Sequence, residues 1–455
     1  LIPRRLFGTD GIRGVANREP LIPEMVFQLG RAAAYFWRHS AKEKVQVLIG
    51  RDTRLSGDML ENALITGVCS TGVDVLRVGI LPTPAIAYLT RQMGVDAGIV
   101  ISASHNPFED NGIKLISREG FKLPDEKEKE IEDILFSGEA QSFRPVGSQL
   151  GRVIQFPQAV DLYQEFLVQI VSTIACGISF SGWKIVVDCA HGAVFQIVPR
   201  ILKQLGAEVV SINDEPDGTN INQNCGSLHP EVIQQIVQEK RARVGLSFDG
   251  DGDRVILADE RGEIVTGDHV LGICAGYLKS AGKLPNNLVV GTVMSNLGLE
   301  RYLKTKGISL LRTPVGDRYV IEEMRKRNAL LGGEPSGHII FLDHHTTGDG
   351  ILTSLQILSL MRQTGQYLSA LTQGISCLPQ ILLNVKVKHQ EDLSRYAEIQ
   401  KVIRQVEEQL QGKGRLLIRY SGTEPLVRIM VEGEDSQQIN LYAREIARVI
   451  ENISG

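Results

Sequence analysis

Three aspartates separated by glycines, Asp249-Gly250-Asp251-Gly252-Asp253, with Arg254 after them, are the densest chemistry in this 455-residue chain. Carboxylates at alternate positions, with no side chain between them, can fold around one hard cation, and a solvated turn has no need of so much negative charge. A calcium loop of the helix-loop-helix kind is the rival, because Glu260 falls twelfth counting from Asp249. It fails because Arg254 stands where that loop needs glycine, and because Val244 to Phe248 and Val255 to Leu257 read as strands. One Mg²⁺ per chain fits better, since three carboxylate oxygens leave positions open for a phosphate oxygen.

A second stretch presents a hydroxyl. Gly98-Ile99-Val100-Ile101 runs into Ser102-Ala103-Ser104-His105-Asn106-Pro107, a buried strand ending in a tight polar turn that Pro107 prevents from continuing. Alone, this is a serine-rich turn. Beside a metal, Ser104 could carry a phosphoryl group, because the charge of about −1.5 to −2 on a phosphoserine would be neutralised there. Lys114, after Asn111-Gly112, either steadies the phosphoryl oxygens, moves a proton, or is a surface lysine.

Three more loops can recognise a ligand. Arg13, in Phe7-Gly8-Thr9-Asp10-Gly11-Ile12-Arg13-Gly14, offers a guanidinium to an anion, although a plain turn is the commoner use of such a sequence. Gly333-Glu334-Pro335-Ser336-Gly337-His338 combines an acceptor, a hydroxyl and an imidazole that titrates near neutrality, which suits a polyhydroxyl ligand. Arg419-Tyr420-Ser421-Gly422-Thr423-Glu424-Pro425, with Arg428 following, groups two guanidiniums, two hydroxyls and a flexible backbone, as a phosphate monoester requires. Its bland alternative is a hairpin turn with solvated arginines. Asp343-His344-His345 follows an apolar strand with no second acidic cluster attached, and reads as a polar loop. No Gly-x-x-x-x-Gly-Lys-Ser/Thr occurs, which leaves triphosphate binding of that kind without support.

The elements that must hold these loops repeat. Val45 to Ile49, Gly72 to Leu76 and Ala97 to Ile101 alternate with helices; so do Trp183 to Val187, Ala207 to Val210 and Val244 to Phe248, and again Asn287 to Val290, Ile308 to Leu311 and Ala329 to Leu331. This order predicts three similar α/β domains with mixed, largely parallel sheets, and each third strand ends in one of the chemistry-bearing loops. The three loops are therefore expected to meet at a central cleft. Beyond residue 371 the pattern changes to strands at Ile381 to Val387, Leu416 to Arg419 and Leu426 to Val431 with helices at 391–411 and 436–452, a smaller α+β domain. The expected boundaries are 1–155, 156–257, 258–371 and 372–455, with 124–159 and 372–380 as connections.

Bulk properties narrow the class. With 43% hydrophobic and 22% charged residues the chain can build large cores, and a net charge of −4 gives no footprint for nucleic acid. Its six cysteines contain no Cys-x-x-Cys pair, which predicts reduced thiols. No apolar run is long enough to span a bilayer, so no membrane partner and a cytoplasmic location are expected. Oligomeric state has no signature here, and a homodimer is left open.

A metal, a serine able to carry phosphate, a separate phosphate clamp and a hydroxyl-reading loop together point to moving a phosphate within a sugar, since a hydrolase would need only the first two. At these motifs the chain resembles the α-D-phosphohexomutase family along its whole length, and most closely the branch acting on glucosamine phosphates. The resemblance implies a four-domain fold around a cleft, with Ser104 as the phosphoserine and Asp249, Asp251 and Asp253 as Mg²⁺ ligands that phosphorylated Ser104 completes. It implies that Glu334 and Ser336 read sugar hydroxyls and that Arg419, Ser421, Gly422, Thr423 and Arg428 hold the non-transferring phosphate. Arg13, Lys114, Arg254 and His338 would assist charge and proton movement, and the fourth domain would rotate. The implied reaction converts glucosamine 6-phosphate to glucosamine 1-phosphate through a sugar 1,6-bisphosphate, which also serves as activator, and feeds UDP-N-acetylglucosamine synthesis. Two positions depart from that branch: Pro335 stands where it usually has Gln, and His191 where it usually has Asn. Ser102, where glucose- and mannose-specific relatives often have Thr, favours the glucosamine branch. A phosphoglucomutase or phosphomannomutase is the alternative that the same residues would serve. A non-catalytic sugar-phosphate-binding relative should have lost Ser104 or an aspartate, and neither is missing; a phosphoserine hydrolase would release free phosphate.

Overall fold

Short runs rich in Val, Ile and Leu form the strands, because β-branched and apolar side chains suit a pleated surface buried on both faces. The computed structural model describes residues 6–8, 10–40, 44–174, 177–387, 393–420 and 426–454. In the first sheet β1 (Ile12–Val15), β2 (Gln46–Arg51), β3 (Asp74–Ile80), β4 (Ala97–Ile101), β5 (Asp110–Ser117) and β6 (Val153–Gln155) lie in the order β1-β5-β4-β2-β3-β6. The second contains β7 (Lys184–Asp188), β8 (Glu208–Ile212), β9 (Val244–Phe248), β10 (Val255–Ala258) and β11 (Ile264–Val265), ordered β11-β10-β9-β7-β8. The third contains β12 (Leu288–Thr292), β13 (Ser309–Thr313), β14 (Leu331–Gly333) and β15 (Ile339–Phe341), ordered β13-β12-β14-β15.

One four-strand unit recurs in all three. β2, β7 and β12 each pair parallel with the strands on either side of them, and β4, β9 and β14 each pair antiparallel with the strand that follows in sequence. The chemistry-bearing loops are thus tips of hairpins, joining the third strand to one that returns beside it. Their place at the third strand's carboxyl end is the one expected, and the returning strand is what makes the sheets mixed.

The first three domains share a continuous apolar core that runs through the helices Ala159–Ile174 and Gly350–Thr364. The fourth domain has its own. There β16 (Gln380–Lys386), β17 (Arg415–Tyr420) and β18 (Leu426–Glu432) form an antiparallel sheet, ordered β16-β18-β17, packed with the helices Ala397–Leu410 and Ser436–Ser454. It is tied to the third domain by buried Glu432, which accepts from Leu297 N–H at 2.8 Å, Gln380 Nε2 at 3.1 Å and Arg415 Nε at 3.1 Å.

The segment 124–159 is more than a connection. Asp125–Ser137 is a helix, which its acidic first turn after Pro124 favours, and β6 extends the first sheet. The helix buries Ile131 together with Glu132, whose Oε1 accepts the N–H groups of Leu6 and Phe7 at 2.8 Å each. So narrow an apolar face, in a helix with eight charged residues, hides the helical period. Among the described residues all cysteines are free thiols, and no helix is long and apolar enough to cross a membrane.

Candidate active site

Ser104 sits at a left-handed backbone position, φ 54°, which turns its side chain out of the run of β4. Its N–H donates to Ser102 Oγ at 2.9 Å, and Ser102 donates in turn to Asp52 Oδ2 at 2.5 Å. Its carbonyl accepts from Arg54 Nη2 at 3.1 Å and Asn222 Nδ2 at 2.9 Å, and both also reach the Asn106 carbonyl. Arg54 is fully buried and paired with Asp52. Removing it would leave a buried carboxylate without its cation, so Arg54→Met is expected to destabilise the protein by about 3–5 kcal/mol in denaturant titrations. Arg54→Lys, which keeps the charge but not the fork, should recover only part of that.

The aspartate loop meets the serine from the second domain. Ser104 Oγ donates to Asp249 Oδ2 at 2.7 Å, and Gly250 approaches so closely that a Cβ there would lie 2.7 Å from the Ser104 carbonyl oxygen. Asp249, Asp251 and Asp253 are buried, with one oxygen of each within 4.8 Å of the others. Burial, then the Asp253 and Asp251 charges, push the Asp249 carboxyl well above the usual carboxylate range. Asp251 Oδ1 and Asp253 Oδ1 are buried without a hydrogen-bond partner. Buried oxygens of this kind are costly unless a cation takes them, so the donor set fits a metal ion.

Cations surround this centre. Lys114 Nζ lies 2.9 Å from Asp251 Oδ2 and 3.3 Å from Asp10 Oδ2, and although burial opposes its charge, Asp10, Asp251 and Asp253 raise its pKa. It is a fixed cation, able to steady phosphoryl oxygens and unsuited to moving a proton. Burial, Arg254 and Arg13 push His105 down to about 4, and its Nδ1 lies 3.0 Å from Arg254 Nη1 and 3.3 Å from Ser104 Oγ. A neutral ring accepting from Arg254 leaves Asp249 as the acceptor for the serine hydroxyl.

The third loop closes the other wall of an open cavity of about 500 Å³. Arg13, Arg254, Asp253, Glu334 and His338 line it; Ser336 does not, although its Oγ is buried without a hydrogen-bond partner. Glu334 Oε1 accepts from Gly316 N–H at 3.1 Å. His338 stands with Nδ1 3.5 Å from Asp253 Oδ2 and Nε2 3.5 Å from Asp317 Oδ2. Burial pulls its pKa down, but Asp253 above all, then Asp317 and Glu334, outweigh that and push it up to about 8. Gly348 N–H, 3.1 Å from Nε2, opposes them by favouring the neutral ring with its proton on Nδ1.

On the fourth domain Arg419 and Arg428 are directly opposite each other in the β17–β18 register. Burial, then Arg428, lowers the Arg419 pKa. Like charges placed opposite on a sheet are destabilising, so the pair makes sense as an anion site. Neither lines the cavity. Ser421, Gly422 and Thr423 lie outside the described residues.

Several groups at the site had no signal of their own. Asp10, Lys122 and Asp317 line the cavity as an ion network: Lys122 pairs with Asp10 and lies 2.7 Å from Asp317 Oδ2, across a sequence gap of 195 residues. Asp10 was visible within its glycine-rich motif, whereas nothing near Lys122 marks it. Thr83, which donates to Asp251 Oδ2 at 2.6 Å, was equally silent. His345, in the stretch read as a polar loop, is buried and faces the Pro84 carbonyl through Nε2 at 3.0 Å, a structural use of the ring.

The two unusual residues are explained by their backbone. Pro335 contributes its carbonyl, which accepts Gly267 N–H at 3.0 Å, so a residue without an N–H is tolerated. His191 has φ 47°, left-handed backbone in which Asn and His are both enriched, and its carbonyl accepts from Thr53 Oγ1 at 2.6 Å.

The chain is similar to known proteins along its whole length. The alpha/beta/alpha domains I, II and III of phosphoglucomutase/phosphomannomutase match residues 4–142, 161–262 and 266–376, and its C-terminal domain matches 382–449. Proteins named phosphoglucosamine mutase from Geotalea uraniireducens and Geobacter metallireducens are each 52% identical, over 453 and 452 residues, covering 99% of this chain and 99% of their own. Among solved structures, a phosphoglucomutase/phosphomannomutase family protein from Burkholderia thailandensis superposes with a TM-score of 0.79 at 26% identity, covering 98% of this chain and 97% of that one. An Aspergillus fumigatus N-acetylphosphoglucosamine mutase, in complex with GlcNAc-6P and magnesium, shares the fold, with a TM-score of 0.66 at 17% identity over 99% and 96% of the two chains. Matched in all four domains and half identical to relatives along its length, the chain belongs to the phosphoglucomutase/phosphomannomutase family, the α-D-phosphohexomutases.

Proposed function

We propose that the protein interconverts glucosamine 6-phosphate and glucosamine 1-phosphate through a phosphorylated Ser104 and a 1,6-bisphosphate. The observation that carries this reading is the Ser104 hydroxyl held 2.7 Å from Asp249 in the buried aspartate triad, whose Asp253 lines a cavity together with Arg13, Lys122 and Arg254. The names of the half-identical relatives support the amino sugar as substrate.

Asp249, Asp251 and Asp253, with the phosphorylated serine, would hold one Mg²⁺, which when bound neutralises charge on the transferring phosphoryl group. In the forward direction the bond from Ser104 Oγ to phosphorus breaks as the sugar O1 bonds to it, and Oγ takes up a proton from Asp249. The O1 proton passes to His338, the one of the four assisting side chains that titrates near neutral pH. The bisphosphate then turns end for end, and Ser104 Oγ takes the phosphoryl group from O6 as the bond from O6 to phosphorus breaks; the serine proton passes to Asp249 and His338 returns its proton to O6. Lys114, Arg13 and Arg254 stay charged throughout and hold the phosphoryl oxygens. Glu334 reads the sugar hydroxyls from the cavity wall, and Arg419 and Arg428, brought over the cavity by rotation of the fourth domain, grip whichever phosphate is not being transferred.

Arg419→Ala is therefore expected to raise KM by about 10- to 100-fold, more than it lowers kcat, because it removes a charge-assisted contact made in both the ground and transition states. Initial rates over a range of substrate concentrations check this, and a fall in kcat at constant KM would remove Arg419 from the clamp.

The reading itself is tested by a ³¹P NMR time course with Mg²⁺ and a trace of sugar 1,6-bisphosphate, offering glucosamine 6-phosphate and glucose 6-phosphate separately. Faster conversion of the amino sugar to its 1-phosphate is expected. Faster conversion of glucose would make the protein a phosphoglucomutase of the same mechanism, and release of inorganic phosphate would make it a hydrolase.

A further inference from the structure

We propose that Asp317 is the residue that selects an amino sugar over its hydroxyl counterpart, by pairing with the ammonium group at C2; this rests on the amino-sugar reading above. Four carboxylates face the cavity: Asp10, Asp253, Asp317 and Glu334. Three are committed. Asp10 is held by Lys114, Lys122 and Arg13 together, Asp253 belongs to the aspartate triad, and Glu334 takes the Gly316 N–H beside its hydroxyl-reading role.

Asp317 is different. It is buried at the cavity wall, its Oδ1 accepts from Arg318 N–H at 2.8 Å and from Lys122 Nζ at 2.9 Å, and its Oδ2 receives no aligned hydrogen bond, although it lies 2.7 Å from Lys122 Nζ and 3.5 Å from His338 Nε2. Gly316, at φ 132°, a value open essentially to glycine, makes the bend that brings Asp317 and the Gly316 N–H to the same wall as Glu334. The carboxyl that reads C2 thus adjoins the one that reads hydroxyls.

The wall already accommodates an ammonium group, because Lys122 Nζ stands between Asp10 and Asp317. Lys122 has a second carboxylate to keep. An arriving sugar ammonium can take Asp317 Oδ2 while Lys122 retains Asp10, so the pairing is exchanged and no buried charge is stranded. A C2 hydroxyl offers the same oxygen only one neutral hydrogen bond, which is weaker than a charge-assisted one and gives no reason for Lys122 to release it.

The test is the ratio of kcat/KM for glucosamine 6-phosphate to that for glucose 6-phosphate, in the parent protein, Asp317→Asn, Lys122→Met and the double variant. Asparagine keeps the shape and the acceptor and removes only the charge. The ratio is expected to fall by about 30-fold in Asp317→Asn and in the double variant, and to hold or rise in Lys122→Met, on the scale of a lost charge-assisted contact. The double variant leaves no lysine beside a neutralised partner, so it stays readable if Asp317→Asn alone folds poorly. An equal loss on both substrates, with the ratio unchanged, would overturn the inference and leave the amino-sugar reading standing. A parent protein that itself prefers glucose 6-phosphate would overturn both.

Discussion

Ser104→Ala is expected to lower mutase turnover by about four orders of magnitude or more, with the protein otherwise intact, because the loss of a covalent nucleophile leaves only binding and electrostatics. The reason it should stay folded is local. The serine loop is held through main-chain groups, the Ser104 carbonyl to Arg54 and Asn222 and its N–H to Ser102, none of which involves the hydroxyl. The left-handed backbone at residue 104 is no harder for alanine than for serine, since both carry a Cβ. Circular dichroism and melting temperature close to the parent, with mutase activity gone, is the pattern expected. Full activity in the variant would remove the serine from the chemistry.

The second large effect concerns the aspartate triad. Chelation should silence the protein and Mg²⁺ should restore it, and the metal should also stabilise the fold, by about 2.7 kcal/mol at a hundred times its Kd. Asp249→Asn separates these consequences. Without metal, three buried carboxylates within 4.8 Å repel one another, so neutralising one costs little and relieves crowding. With metal, a charged ligand is missing. The variant is therefore expected to melt near the parent in chelator, to gain little when Mg²⁺ is added, and to lose activity by about a thousandfold or more. Differential scanning calorimetry with and without Mg²⁺ reads the difference directly. An equal Mg²⁺-dependent rise in melting temperature in parent and variant would place the metal elsewhere.

How much of this was legible in the sequence depends on whether a signal was local. The loops announced themselves because each concentrates its chemistry within six or seven residues: carboxylates alternating with glycines at 249–253, a serine before Asn106-Pro107, an acid, a hydroxyl and an imidazole between glycines at 333–338. The triple repeat was visible too, in the alternation of apolar runs with helical ones. Less visible was the hairpin in each unit, since an apolar run such as Val255–Ala258 reads as a strand without saying which neighbour it joins. The charged helix Asp125–Ser137 was hidden because it buries so few positions, and they include glutamates.

What sequence could not show is what topology creates. Lys122 and Asp317 lie 195 residues apart, and each alone looks like an ordinary surface charge or helix-capping acid. Arg54 and Asp52, two residues apart, carry no local mark of burial, and they are buried under the serine loop. Arg419 and Arg428 are intermediate: their types and spacing marked a phosphate clamp, and the β17–β18 register supplies the reason to believe it, two like charges set face to face.

Whether Ser104 carries the phosphate is read by incubating dephosphorylated protein with glucose 1,6-bisphosphate labelled with ³²P, quenching, digesting and mapping the label. One phosphoryl group per chain on the peptide containing Ser104, transferable to added glucosamine 6-phosphate, is expected. Label on another residue, or a fully active protein that never acquires it, would show that Ser104 does not carry the phosphate.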